Sequence, residues 1–380
     1  MSGPRGRFAV VLAGGGTTGH VAPLLATAAM LRRRHPGLPL VALGTAAGLE
    51  ARLVPEQGID LRLVPRVPLP RRLSGDLFRL PARLRSAVEA ARSVMEDLAR
   101  DPGVDTVVVV GFGGYVAAPA YLAGRRAGAQ LVVHEANSRP GIANRLGARL
   151  TRHVATAFPG TPLPHARHLG MPLRQEITEL DRQALRPVAL EHFGLSADRP
   201  TLLVTGGSLG AQRLNETFGR SVAEIRAAGV QVIHVTGRGK ALDPPVSDLV
   251  TGEAAYVVRE YLDRMDLAYA AADMVTCRSG AGTVSELTAI GLPAAYVPLP
   301  VGNGEQRLNA APVVAAGGGL LVEDAACTPS WVSSVLLPLL ADPDRLAGMA
   351  SAARGFGITD GAQRLCDMIE DAAAEGGDTT

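Results

Sequence analysis

A chain of 380 residues exceeds what one ordinary hydrophobic core fills, which predicts two α/β domains of roughly 150–190 residues each. Hydrophobic residues make up 47% and aromatics only 4%, so interiors of Val, Leu and Ala are expected and base-stacking nucleic-acid platforms are excluded. The formal net charge of +2 gives no global attraction to a polyanion; no nucleic-acid partner is expected, and an anionic surface must be met by a local patch.

At the N-terminus, Met1 to Arg7 carries two arginines and runs into Phe8–Ala13, an apolar stretch too short for a signal peptide and followed at once by glycines. Short β-branched or Leu-rich runs then alternate with helical patterns: Phe8–Ala13, Leu40–Leu43, Leu61–Val64, Thr106–Val110, Leu131–His134 and Val154–Ala157 read as strands. That alternation predicts a parallel, doubly wound sheet. After the Pro- and Gly-containing stretch from Phe158 to Pro172 the rhythm restarts, with strands expected at Thr201–Thr205, Val230–Val235, Ala255–Val258, Met274–Thr276 and Ala294–Val297. The expected domains are therefore residues 1–172 and 173–353, two Rossmann-like units facing each other across a cleft. The segment from Pro329 to Ala374 is helical in pattern and broken at Pro343 and Gly355–Gly357; a last helix at about 354–374 is expected to return to the first domain. No run reaches about 18 uninterrupted apolar residues, so a soluble or peripheral protein is expected. Cys277, Cys327 and Cys366 suit neither a disulfide framework nor a zinc site, which points to a reducing cytoplasm.

Glycine clusters follow several of these strands. Gly14-Gly15-Gly16-Thr17-Thr18-Gly19-His20 lets backbone N–H groups approach an anionic or polyhydroxyl ligand at a helix N-terminus, or else forms only a tight strand-to-helix turn. Gly111-Phe112-Gly113-Gly114-Tyr115 and His134-Glu135-Ala136-Asn137 open at the same carboxyl edge, where open α/β sheets bind ligands. In the second half, Gly206-Gly207-Ser208-Leu209-Gly210-Ala211 precedes a helix expected near Gln212, a phosphate-cradling pattern with a hydroxyl at Ser208. Arg278-Ser279-Gly280-Ala281-Gly282-Thr283-Val284-Ser285-Glu286 repeats the theme, with Glu286 expected in the first helical turn. There it serves the helix dipole, or it accepts from two ribose hydroxyls. Arg174, at the expected hinge, is a diphosphate ligand or a surface residue.

Several chemistries lack their marks. The lone lysine, Lys240, does not complete a P-loop. The one D-x-D match, Asp342-Pro343-Asp344, reads as a helix N-cap with proline at the first position, so no metal site is expected. No G-x-S-x-G elbow or H-E-x-x-H pair occurs.

GGGTTGH, GFGGY, HEAN, GMPLR, GGSLGAQRLN, CRSGAGTVSE and GNGEQRLNA, in that order over about residues 8 to 325, resemble the MurG family, GT-B glycosyltransferases of family 28. The resemblance implies a hexosyltransferase of peptidoglycan synthesis, peripheral on the cytoplasmic face of the cell membrane and without a cofactor. Its partners are implied to be UDP-N-acetylglucosamine and the undecaprenyl-linked acceptor lipid I, which becomes lipid II. It implies that the second domain holds UDP, with Ser208 and Arg174 near the diphosphate, Glu286 on the ribose and backbone near Leu262 on the uracil. Thr17, Thr18, Gly19 and Asn137 of the first domain, and Ala281, Gly282, Thr283, Val284, Ser285 and Gln306 of the second, are implied to bind substrate. Thr18 stands where the family often has glycine, and Gly304-Glu305-Gln306 replaces a frequent His- or Gln-rich loop. An inverting, metal-independent transfer needs a base for the acceptor hydroxyl, and His20 is the candidate; the other reading is that it binds acceptor diphosphate.

Arg66, Arg71, Arg72, Arg79, Arg83 and Arg85 share a stretch with Leu69, Leu73, Leu77, Phe78, Leu80 and Leu84, offset only by Asp76. Two readings stand: an amphipathic basic surface for an anionic membrane, or a solvated loop and an ordinary helix. Rival functions are another GT-B glycolipid transferase using a UDP-hexose, a UDP-GlcNAc epimerase, and a nucleotide-sugar binding module without catalysis.

Overall fold

A computed structural model describes residues 7–67, 76–207, 210–242, 246–248, 250 and 252–377, with 76–79 described as backbone only. The chain forms two compact units, Met1–Arg174 with Thr359–Thr380, and Gln175–Ile358. The sequence placed the change of domain at 172/173; in the structure it falls at 174/175, so Arg174 ends the first unit.

In the first unit seven parallel strands stand in the order β3-β2-β1-β4-β5-β6-β7. They are β1 (Phe8–Gly14), β2 (Leu40–Gly44), β3 (Asp60–Leu63), β4 (Thr106–Gly113), β5 (Gln130–Glu135), β6 (His153–Thr156) and β7 (Ala166–His168). Helices α1 (Thr18–Arg34), α2 (Glu50–Glu56), α3 (Asp76–Ala99), α4 (Gly114–Ala127) and α5 (Ile142–Gly147) connect them. The central strands are apolar on both faces, as parallel strands covered by helices must be. Val10 and Leu12 face one core with Val108, Val110 and Val132, whereas Val11 and Ala13 face the other with Val88, Val116 and Tyr121.

The first of these cores is closed by the chain's last helix, Gly361–Gly377, whose Leu365, Met368, Ile369 and Ala372 are buried in it. Arg34 at the end of α1 pins that helix through Asp367 at 2.6 Å and Glu370 at 3.1 Å. The helix begins seven residues later than the expected 354, because Pro343–Phe356 is a separate helix that stops at Gly357.

The second unit has six parallel strands in the order β10-β9-β8-β11-β12-β13. These are β8 (Thr201–Thr205), β9 (Gln231–Val235), β10 (Tyr256–Arg259), β11 (Met274–Cys277), β12 (Ala294–Tyr296) and β13 (Gly319–Leu321). Its helices include α6 (Gln175–Thr178), α7 (Arg182–Phe193), α8 (Gln212–Arg220), α9 (Val222–Ala227), α10 (Met265–Ala271), α11 (Ala281–Ala289) and α12 (Glu305–Ala315). Strand order reverses between β1 and β4 in one sheet and between β8 and β11 in the other. At such switch points the crossovers leave in opposite directions and open a crevice at the carboxyl edge. Four of the glycine-rich loops follow β1, β4, β8 and β11.

No described helix is long and apolar enough to cross a membrane.

Candidate active site

The β1 loop is short because α1 starts at Thr18, with Thr17 as an extended N-cap residue. Gly16, Thr17, Thr18 and Gly19 are exposed and His20 is half-buried, so the loop offers its backbone and one imidazole to solvent. His20 Nδ1 lies 3.1 Å from the Gly15 carbonyl oxygen and 3.1 Å from Thr17 Oγ1. A carbonyl only accepts, so Nδ1 carries the proton, and Nε2 is the nitrogen whose lone pair is open in the singly protonated form of the ring. Among the described residues Nε2 has no hydrogen-bond partner.

The neighbouring β4 loop makes room for this ring. A Cβ at Gly113 would lie 3.0 Å from His20 Nε2, and one at Gly114 would lie 2.4 Å from the Gly15 oxygen. Both glycines also adopt positive φ, 98° and 78°. Side chains at either position would displace the imidazole or cover it.

Glu135, in the third loop, is built into the backbone. It is 3% exposed; Oε1 accepts from Asn137 N at 2.9 Å, and Oε2 accepts from Gly141 N at 2.9 Å and Asn144 Nδ2 at 3.0 Å. Its effect is to hold the half-buried Asn137 at the loop. Asn144, which the sequence did not single out, also receives the Tyr121 hydroxyl at 2.8 Å. His134 is fully buried; burial pushes its imidazole down to about 4, and Nε2 donates to the Gly170 carbonyl at 3.2 Å. Of the two histidines in these loops, only His20 can reach a ligand.

In the second unit, Gly207 N donates to Thr205 Oγ1 at 3.2 Å and Gly210 N to the Gly207 carbonyl at 2.9 Å, which ties together Gly207 and Gly210 ahead of α8. Ser208 and Leu209 lie outside the described residues. The β11 loop opens α11 through Gly280, and Ala281, Gly282, Thr283, Val284 and Ser285 form its first turns.

Glu286 therefore sits in the second turn, not the first as the sequence suggested, because the helix begins only at Ala281. A dipole role weakens with that distance. Its Oε2 accepts from the Tyr269 hydroxyl of α10 at 2.8 Å, and it remains half-buried at the surface of the unit. The half-buried Leu262 lies just before α10, so this bond ties the α10 side to α11.

Gln306 Oε1 accepts from Leu299 N at 2.9 Å, folding the loop before α12. Arg278, quoted within its motif but given no role, donates to the Val297 and Pro298 carbonyls at 3.1 Å and pairs with Asp324 at 2.6 Å. It locks the β11 loop to the segment leading into α12. Arg174 is exposed at the end of the first unit.

The D-x-D match caps a helix, with Asp342 Oδ1 accepting from Arg345 N at 3.0 Å. Among the described residues no cluster of three or more His, Cys, Asp or Glu is placed to hold a metal ion.

Two doubly wound units, each with paired glycine loops at its switch point, define the GT-B class of fold. Residues 10–156 match the glycosyltransferase family 28 N-terminal domain and residues 201–365 the glycosyltransferase family 28 C-terminal domain. A protein of Streptomyces avermitilis called "UDP-N-acetylglucosamine--N-acetylmuramyl-(pentapeptide) pyrophosphoryl-undecaprenol N-acetylglucosamine transferase" is 53% identical over 365 residues, 96% of this chain and 98% of that one. The crystal structure of Acinetobacter baumannii MurG matches with a TM-score of 0.77 at 28% identity, covering 96% of this chain and 99% of that one. The UDP-GlcNAc 2-epimerase of Neisseria meningitidis shares the fold alone, with a TM-score of 0.66 at 16% identity over 95% and 98% of the two chains. The chain belongs to glycosyltransferase family 28, and within it to the MurG group.

Proposed function

We propose that this enzyme transfers N-acetylglucosamine from UDP-N-acetylglucosamine to the C4 hydroxyl of the N-acetylmuramoyl sugar of lipid I, giving lipid II, with inversion and without a metal ion. The observation that carries the reading is the 53% identity, over 96% of the chain, to a relative whose name states that donor and acceptor. The first unit is read as the acceptor side. His20 Nε2 takes the proton of the C4 hydroxyl as its oxygen attacks the anomeric carbon, and the glycosidic bond breaks with its electron pair going to the UDP diphosphate. By resemblance Thr17 and Asn137 reach the donor sugar from this unit, and Thr18 and Gly19 are read as substrate-binding residues of the same loop.

The second unit is read as the donor side. Glu286 accepts from the ribose hydroxyls and backbone near Leu262 meets the uracil. Ala281, Gly282, Thr283, Val284, Ser285 and Gln306 line the sugar and phosphate. The charge developing on UDP falls to the α8 N-terminus, with Ser208 and Arg174 assigned there by resemblance. Full turnover in EDTA is the expected result, since Asp342 of the D-x-D match is taken up as a helix N-cap. Loss on chelation, restored by Mg²⁺ or Mn²⁺, contradicts it. Incubation of UDP-N-acetylglucosamine with and without a lipid I analogue separates the rivals. Transfer only with acceptor supports the reading, whereas acceptor-independent epimer formation identifies a 2-epimerase.

The acceptor's polyprenyl chain places the enzyme peripherally on the cytoplasmic membrane face, with the basic stretch as its contact. Arg71, Arg72, Leu69 and Leu73 lie outside the described residues, as do the side chains of Leu77, Phe78 and Arg79. Leu84 is turned inward against the core of the first unit, so this leucine is withdrawn from the bilayer contact. Arg66 lies over the Tyr115 ring at 5.0 Å, and Arg85 is exposed. Converting Arg71, Arg72, Arg79 and Arg83 to Gln is expected to release the enzyme from anionic vesicles, at about 1 kcal/mol per arginine. Unchanged co-sedimentation sinks the assignment.

A further inference from the structure

Glu50 is a buried carboxylate that the mechanism above does not use. It is 0% exposed, in the first turn of α2, yet its acceptors are filled from the β1 loop and the β2 turn. Oε2 accepts from Gly16 N at 2.9 Å, and Oε1 accepts from Thr45 N and Thr45 Oγ1, each at 2.9 Å. Burial alone pushes such a carboxyl up, but the donors from Gly16, Thr45 and its own backbone hold it below the ordinary carboxylate range. The chain is shaped around it: a Cβ would come within 2.4 Å of a Glu50 oxygen at Gly15 and 2.1 Å at Gly48, and within 2.5 Å of its Cγ at Gly44.

The N–H that Glu50 accepts and the carbonyl that holds His20 belong to one peptide unit, Gly15–Gly16. That unit is planar and trans, so its N–H and C=O point in opposite directions. One side is fixed by Glu50 and the other meets His20 Nδ1 at 3.1 Å. A carboxylate drawing on the N–H also polarises the amide and strengthens its oxygen as an acceptor. We propose that Glu50 is a positioning residue which, acting through the Gly15–Gly16 peptide, keeps the proton on His20 Nδ1 and leaves Nε2 as the base. The arrangement does through one peptide what a carboxylate does directly to the histidine of a hydrolase triad. It rests on the reading of His20 as the base. The relay itself is a statement about a tautomer and is tested apart from turnover.

The experiment is ¹⁵N NMR of histidine-labelled enzyme, with the His20 signals assigned by their loss in His20→Gln, alongside steady-state kinetics of wild type and Glu50→Gln. The expected results are the Nδ1–H tautomer in wild type and a shift toward Nε2–H in the variant. With the shift, kcat should fall by about 10–10²-fold at unchanged donor KM, less than for a carboxylate bonded to the ring itself. The wild-type tautomer does not depend on Glu50→Gln folding, and Nε2–H there overturns the relay. An unchanged tautomer in Glu50→Gln also overturns it, whether or not kcat falls. A shifted tautomer with unchanged kcat keeps the relay and removes His20 from the chemistry instead.

Discussion

His20→Ala is expected to lower kcat by about 10²–10⁴-fold while UDP still binds with near-native affinity. A base acts only as the transition state forms, so its loss appears in turnover rather than in donor binding. The geometry supports a narrow lesion. His20 is half-buried, bonds only within its own loop through Gly15 and Thr17, and faces Gly113, so removing the ring leaves β1, β4 and α1 intact. Glu286 and Leu262, by contrast, belong to the other compact unit. Isothermal titration with UDP and steady-state kinetics with a lipid I analogue check both halves of this expectation. Near-normal turnover removes His20 from the mechanism and leaves Glu135 or an ordered water as the next candidate to accept the proton. Failure of UDP binding instead assigns the first loop to the donor.

Glu286→Ala is expected to raise the KM for UDP-N-acetylglucosamine by roughly 10–100-fold, as ribose hydroxyls lose a charged acceptor worth about 1.5–3 kcal/mol. The same change removes the carboxylate oxygen to which the Tyr269 hydroxyl donates at 2.8 Å, and Tyr269 is 2% exposed. Some loss of stability is therefore expected as well, and Tyr269→Phe serves as the control. That variant removes the bond without removing the carboxylate, and it should keep donor KM within a few-fold. An unchanged donor KM in folded Glu286→Ala ends the ribose assignment.

The parallel strands were legible because each is buried on both faces, so Phe8–Gly14 and Thr106–Gly113 appear as continuous apolar runs ending in glycine. β7 and β13 were missed for the converse reason. Each has three residues, β7 is exposed throughout as Ala166-Arg167-His168, and β13 begins with a glycine. The glycine loops could be named from sequence, but their meeting at two switch points depends on strand order, which local pattern does not encode.

Glu50 was invisible on its own terms. In sequence it is an acidic residue in the first turn of a helix, and its partner Gly16 lies 34 positions away. The traces it leaves are glycines at 15, 44 and 48, which read as turn residues until the carboxylate occupying their side-chain space is seen. Glu286 was placed one turn early because nothing in SGAGTVSE marks Gly280, rather than an earlier residue, as the cap.

The structure of the product separates transfer to lipid I from every rival. Enzyme, UDP-N-acetylglucosamine and a lipid I analogue are incubated in EDTA, and the purified lipid is examined by NMR. The expected product carries a single new N-acetylglucosamine joined through a β linkage to the C4 hydroxyl of the muramoyl sugar, the inverted outcome from an α-linked donor. An α linkage, attachment at another hydroxyl, or label recovered only as a free or epimerised sugar contradicts it.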